Sequence, residues 1–370
     1  MNVADEEREL SVDDLKNAYG PLFEGAGREL LSDYRFLYLP ANLPPWFDSG
    51  LALESADRMT TLARGKAYLA GAPALWFPTS FQLWFRIGEA GPIFRGGRDT
   101  NTFRAEHAGK LYLGNHFPGD WADPTGRLAT PPELFQGAAG GVAVAVLRWR
   151  REVEPLDALR SLAAKGDPLG MLAAERDRLA SFVPPPSGWD YLWFLGAAEI
   201  FHRNGKSPGH IECRTHCDVG ILHKDAEFAL SPKTRLGWSW KIDALPSEVA
   251  ENDASVHDYM SIAVEFDNGQ DLTYYWSKAL EPETSFRCPL PSWTARETHL
   301  VVRSGAVGLG RWFGEERNVH ADYRAAIGGP IPARIVRVWL IAVSLFQRRE
   351  GRCEFADITL DDGTHSLKVI

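Results

Sequence analysis

From Tyr34 onward the chain alternates short apolar runs with Gly, Pro, Asn and Asp, at a spacing of roughly 8–15 residues. This rhythm constrains the fold more than any other feature. Short strands separated by turn signals build sandwiches or barrels, not helical bundles. A first set of strands is predicted at Arg35–Leu39, Met59–Arg64, Lys66–Ala70, Phe81–Ile87, Asn101–Ala105, Lys110–Gly114 and Val142–Trp149. A second set is predicted at His210–Val219, Leu236–Ile242, Met260–Phe266, Asp271–Ser277, Thr298–Arg303, Arg334–Phe346 and Glu354–Leu360. Between the sets, Glu154–Ser181 is rich in Ala, Leu and Arg. There Asp167-Pro168 supplies an N-cap and a first-turn proline, and Pro184-Pro185-Pro186 ends the segment. Ser11 with Asp14 opens an N-terminal helix that is predicted to reach about Ser32, with an interruption near Gly20-Pro21. Asn318–Ile327 is one more helix. The expected fold is mainly β, with two jelly-roll β-sandwiches joined by a helical segment. Its parts are a helical extension (1–33), a first sandwich (34–152), a helical connector (153–187) and a second sandwich (188–370).

Charge narrows the function. The 370 residues carry 40 Lys and Arg against 49 Asp and Glu, a net charge of −9. The nearest approach to a basic patch, Arg148, Arg150 and Arg151, runs straight into Glu152 and Glu154. Nucleic acid is therefore not an expected partner. The longest apolar runs, Gly141–Leu147 and Val338–Phe346, have strand length, well short of the ~18 residues of a membrane span. The acidic N-terminus does not read as a signal peptide. Four cysteines are too few for a disulfide scaffold. The expectation is a cytoplasmic protein with free thiols, and an oligomer is left open.

Two stretches in the first sandwich carry a family resemblance. One is Trp46-Phe-Asp-Ser-Gly50, with Gly65 and Gly71 following. The other begins Leu83-Trp-Phe-Arg-Ile-Gly-Glu-Ala-Gly-Pro92 and continues into Gly109–Gly126, which includes Asn115-His-Phe-Pro-Gly-Asp-Trp-Ala-Asp-Pro-Thr-Gly126. Together they resemble the calcium-dependent galactose-binding bacterial lectins, over roughly residues 35–150. The resemblance implies a galactose-binding-domain-like sandwich and a loop on which calcium and sugar hydroxyls meet. Calcium takes six to eight hard oxygens. Asn115, Asp120 and Asp123 keep oxygens at loop positions, and Trp121 stands among them as a ligand-stacking candidate. His116 and Pro124 replace an acid and an amide of the lectin pattern. Imidazole is a poor calcium ligand and proline has no side-chain oxygen, so the fold is expected to persist with the calcium–sugar site weakened. No cofactor is expected to be required, and calcium stays open.

Four blocks mark the second sandwich: Leu236–Pro246 with Trp238 and Trp240, then His257-Asp258-Tyr259, Leu272–Trp276, and Glu316–Tyr323. Their order resembles a bacterial family known only as a domain of unknown function, over roughly 190–360, and this implies no chemistry. On strands, Leu236, Trp238, Trp240 and Ile242 share one face, and Leu272, Tyr274 and Trp276 share another. Either these rings form the core, or Trp238, Trp240, Tyr274 and Trp276 wall a hollow suited to a flat apolar ligand or a sugar.

Cys213 and Cys217 stand about 13 Å apart on a strand, too far to share a zinc ion. The same strand would carry His210, Glu212, Arg214, His216 and Asp218 on its polar face. His216 is one acid–base candidate, and His257 and Asp258 are others. The function expected first is a cofactor-independent lyase, isomerase or cyclase using Asp258, His257 and His216. The alternatives are a carbohydrate-binding lectin-like module and a structural or assembly protein.

Overall fold

Ala139–Trp149 is apolar at nearly every position, as a strand buried on both faces must be. The computed structural model describes residues 9–43, 45–69, 72–204 and 209–370, and it places this run at the centre of a sheet. The chain divides into two units, Met1–Phe182 with Trp193–Ala197, and Val183–Leu192 with Ala198–Ile370.

The first unit contains β1 (Leu31–Pro40), β2 (Phe47–Leu53), β3 (Arg58–Leu69), β4 (Ala72–Pro78), β5 (Leu83–Ile87), β6 (Thr100–Arg104), β7 (Gly109–Asn115) and β8 (Ala139–Trp149). One sheet runs β1-β8-β3-β4, with β6 also on β3, and the other runs β2-β7-β5. All the pairs are antiparallel. Val142, Val144 and Val146 of β8 join the core cluster that holds Leu111 and Leu113 of the smaller sheet. Ala143, Ala145 and Leu147 point the other way. There they meet Leu15, Tyr19 and Phe23 of α1 (Val12–Glu24), Leu159 and Leu162 of α2 (Pro155–Lys165), and Met171 and Leu172 of α3 (Met171–Ala180).

The predicted connector helices are therefore a packed layer of the first unit. Their apolar stripes need a surface, and the alternate face of β8 provides it. Tyr19 fastens the layer by donating from its hydroxyl to Asp167 at 2.7 Å. The capping box at Ser11 and Asp14 forms as predicted. The two predicted strands around Gly65 are one strand. Gly65 is required there by close approach and marks no turn, because a Cβ at that position would stand 2.1 Å from the Gly141 carbonyl oxygen. Ala70 and Gly71 lie outside the described residues.

The second unit contains β9 (Asp190–Tyr191), β10 (Phe201–Asn204), β11 (His210–Thr215), β12 (Val219–Ala229), β13 (Arg235–Ala244), β14 (Tyr259–Phe266), β15 (Asp271–Ser277), β16 (Ser285–Arg287), β17 (Glu297–Ser304), β18 (Trp312–Asn318), β19 (Arg334–Val343), β20 (Gly351–Asp361) and β21 (Ser366–Lys368). A six-stranded sheet runs β10-β11-β20-β13-β18, with β21 on β20. A seven-stranded sheet runs β16-β17-β15-β14-β19-β12-β9. The helix α4 (Val319–Ala326) follows β18 and is capped by Asn318. No helix among the described residues is long and apolar enough to cross a membrane.

Candidate functional site

In β15, Leu272, Tyr274 and Trp276 face the six-stranded sheet, so Asp271, Thr273, Tyr275 and Ser277 must face away from it. In β17 the same alternation turns Glu297 and His299 away, while Leu300 joins the core. This second face is polar and sealed. His257, from the loop before β14, and Cys288, just after β16, close over it. The ligand atoms of His257, Cys288, Glu297 and His299 all lie within 4.8 Å of one another, and all four residues are buried.

The cluster is oriented from behind. The Nδ1 of His257 donates to the Glu251 carbonyl oxygen, which leaves Nε2 facing Cys288 Sγ at 3.5 Å. Glu251 is itself fixed by Ser247 and Ser277 and by the Lys278 amide. Tyr259 and Thr273 both donate to Oε1 of Glu297, at 3.0 and 3.3 Å. Among the described residues neither ring nitrogen of His299 has a well-formed hydrogen bond, and its Nε2 stands 3.5 Å from Glu297 Oε1. Phe286 stacks on the His299 ring at 5.1 Å. Burial opposes ionisation of Glu297, but interaction with His299, His257 and Cys288 outweighs it and holds the carboxyl below the usual carboxylate range. Burial also drives His257 down to about 3 and pushes the Cys288 thiol up. Such a donor set can hold a metal ion.

The residues predicted from sequence lie elsewhere, His257 excepted. Trp238, Trp240, Tyr274 and Trp276 are at most 2% exposed and pack on one another inside the core, with ring centroids 5.5–6.0 Å apart. The hollow considered from sequence is thus filled. Two sheets with inward-facing residues this large need the rings between them. Asp258 is buried, and its carboxylate accepts the amides of Phe346 and Gln347, so it clasps a loop. Burial lifts its pKa to about 6 against those two bonds. His216 is exposed beyond the end of β11, because Cys217 turns the chain at φ 53° and ends the predicted strand early. These three residues therefore do not form one acid–base site. All four cysteines are free thiols.

In the first unit, Trp121 is buried and stacks on Trp46 at 5.2 Å. Asp120 accepts from the Phe117 amide and the Thr130 hydroxyl. Asp123 accepts from Thr125 and from Arg127. The amide nitrogen of Asn115 donates to the Leu39 carbonyl. The carboxylate oxygens thus serve their own loop. A cleft of about 310 Å³ in this unit is lined by Arg58, Arg104, Arg151 and Asp57. Arg58 and Arg151 are already paired with Glu154 and Glu54.

A different feature, which sequence reasoning missed, crosses the outer face of the six-stranded sheet. Register places His202, Glu212, Glu354, Lys241 and Trp312 in one row over β10, β11, β20, β13 and β18. Trp312 is 45% exposed. Lys241 pairs with Glu354 and Asp243, and His210 also reaches Glu354. Glu212 is held by Arg214 and Asn204. The His210 ring meets the Trp312 ring edge-on at 5.9 Å.

Residues 188–359 match the model of a family described as a protein of unknown function (DUF3047). That span agrees with the four sequence blocks of the second unit. No curated protein matches the chain. Among solved structures, the EclA N-terminal domain, a PllA-like lectin, is similar at 17% identity, with 33% of this chain and 98% of that one covered and a TM-score of 0.26. The xyloglucanase domain of NopAA from Sinorhizobium fredii is similar at 7% identity, with 49% and 91% covered and a TM-score of 0.29. The CBM22 tandem domain of Paenibacillus barcinonensis Xyn10C is similar at 10% identity, with 90% and 92% covered and a TM-score of 0.23.

Proposed function

We propose that the chain is a carbohydrate-binding protein and that its sugar lies along the outer face of the six-stranded sheet in the second unit. The row that ends in Trp312 carries this reading. A sugar ring offers an apolar C–H face and a rim of hydroxyls. An exposed indole takes the first, and charged side chains already fixed by one another take the second with little further ordering. Four strand spacings set the backbone of this row at about 19 Å, and the Trp312 ring leans back across it as far as the His210 ring. The proposed activity is binding; Asp258, engaged with main chain, takes no part in it.

The test is affinity electrophoresis and calorimetry against a panel of neutral and acidic polysaccharides. At least one should retard the protein, with or without calcium. Trp312→Ala should weaken binding about ten-fold, about 1.4 kcal/mol, while melting stays unchanged. Glu354→Gln should weaken it less. The reading fails if no polysaccharide binds or if Trp312→Ala binds as the parent does.

A further inference from the structure

We propose that His257, Cys288, Glu297 and His299 form a structural zinc-type site inside the second unit, independent of the sugar face. The donor types come first. Two imidazoles, a thiolate and a carboxylate are the set that a borderline-soft divalent ion takes, and four protein ligands leave no open position for substrate. Complete burial of all four also points to a structural role.

Distance comes second. Bonds of 2.0–2.3 Å in a tetrahedron place donor atoms about 3.3–3.8 Å apart. His257 Nε2 and Cys288 Sγ already stand at 3.5 Å, and the whole set lies within 4.8 Å. Closure requires only small side-chain movements.

The unpartnered groups come third. His299 is fully buried; among the described residues its Nδ1 has no hydrogen-bond partner and its Nε2 meets only the Glu297 carboxylate, at 3.5 Å, so a coordinate bond would satisfy one of two poorly served nitrogens. The supports behind the donors match those of metal ligands. His257 gives its Nδ1 proton to a main-chain carbonyl, which fixes the tautomer with Nε2 free. Tyr259 and Thr273 hold Glu297 through Oε1, and the Cys288 thiol also hydrogen-bonds this carboxylate.

Charge comes fourth. One thiolate and one carboxylate balance a divalent cation, so the occupied site is neutral. Binding displaces the Cys288 proton to solvent and forms the sulfur–metal bond in its place. The ion would tie the segment after β16 and the loop before β14 to β17.

The test uses the full chain, expressed with zinc and dialysed into metal-free buffer. Elemental analysis should find about one zinc per chain. Cobalt exchanged into the site should give the intense bands of a tetrahedral ion and a thiolate-to-metal charge-transfer band. Cys288→Ser should abolish the charge-transfer band, and His299→Ala should abolish retention of the ion. Stripping the parent with a strong chelator should lower its melting temperature, and zinc should restore it. The proposal is overturned if the zinc-supplied parent holds no metal and its melting ignores chelator. It is equally overturned if folded Cys288→Ser and His299→Ala retain metal as the parent does, which would place the ion on the surface. If both variants fail to fold, the metal content and chelator response of the parent decide.

Discussion

The strands β8 and β17 are both interior strands of their sheets, and each is largely buried on both faces, but their second faces are built oppositely. β8 turns valines toward one layer and Ala143, Ala145 and Leu147 toward a helical layer, so burial alone stabilises it. β17 turns Leu300 toward the core and Glu297 and His299 into a sealed polar space. Burying those groups costs free energy unless each finds a partner. The first strand needs only cover, whereas the second needs a particular chemistry behind it. A buried polar face of this kind is therefore a better guide to specialised chemistry than an aromatic one, because aromatic rings satisfy themselves by packing.

Four measurements bear on that contrast. The largest effect is expected from Leu147→Ala on the helix-facing side of β8, which should cost about 2–5 kcal/mol in denaturant unfolding. A loss below about 1 kcal/mol would mean that the helical layer adds little. Second, the first unit has its own buried imidazole, His116, which burial holds down at about 4 although its ring donates to the Pro45 carbonyl. The unfolded chain takes up this proton near pH 6.5 and the folded one only near 4. Stability is therefore fully present above pH 6.5 and falls by about 3 kcal/mol as pH drops to 4. His116→Phe should flatten that part of the profile, and an unchanged profile would remove His116 as its cause.

Third, Tyr259→Phe removes one oxygen from the polar face and leaves Glu297 short of a donor. It should cost about 1–3 kcal/mol in thermal melting, comparable to a larger deletion on an apolar face. A neutral result would make the two faces equivalent. The smallest effect is expected from Arg235→Ala, which breaks an exposed pair with Glu316 and should shift stability by less than about 0.5 kcal/mol. A larger shift would mean that this exposed pair is more than a solvated contact.

Much of the β architecture was legible from sequence because strand periodicity is local. Asp271–Ser277 has the predicted bounds. Elements were misread where a single residue does unusual work. Gly65 reads as a break but permits strand contact, and Cys217 reads as strand interior but adopts φ 53°. The site was far less legible. His257 was singled out, but beside Asp258, which serves another loop. The spacing of Glu297 and His299 does place both on one face of a strand, and that was the available signal. It was hidden because the predicted strand began at Thr298 and left Glu297 outside. Cys288 comes from a separate segment, and only sheet pairing brings it near. The row ending in Trp312 is equally non-local, since its five members come from five strands and β18 itself was not predicted.

The position of β8 has one more consequence. It is hydrogen-bonded to β1 and β3 on its two sides and covered above and below, so its amide protons are shielded in every direction. They can trade with deuterium only when the whole first unit opens. Isotope uptake along Val142–Leu147 therefore gauges the global stability of that unit, unaffected by fraying at its loops.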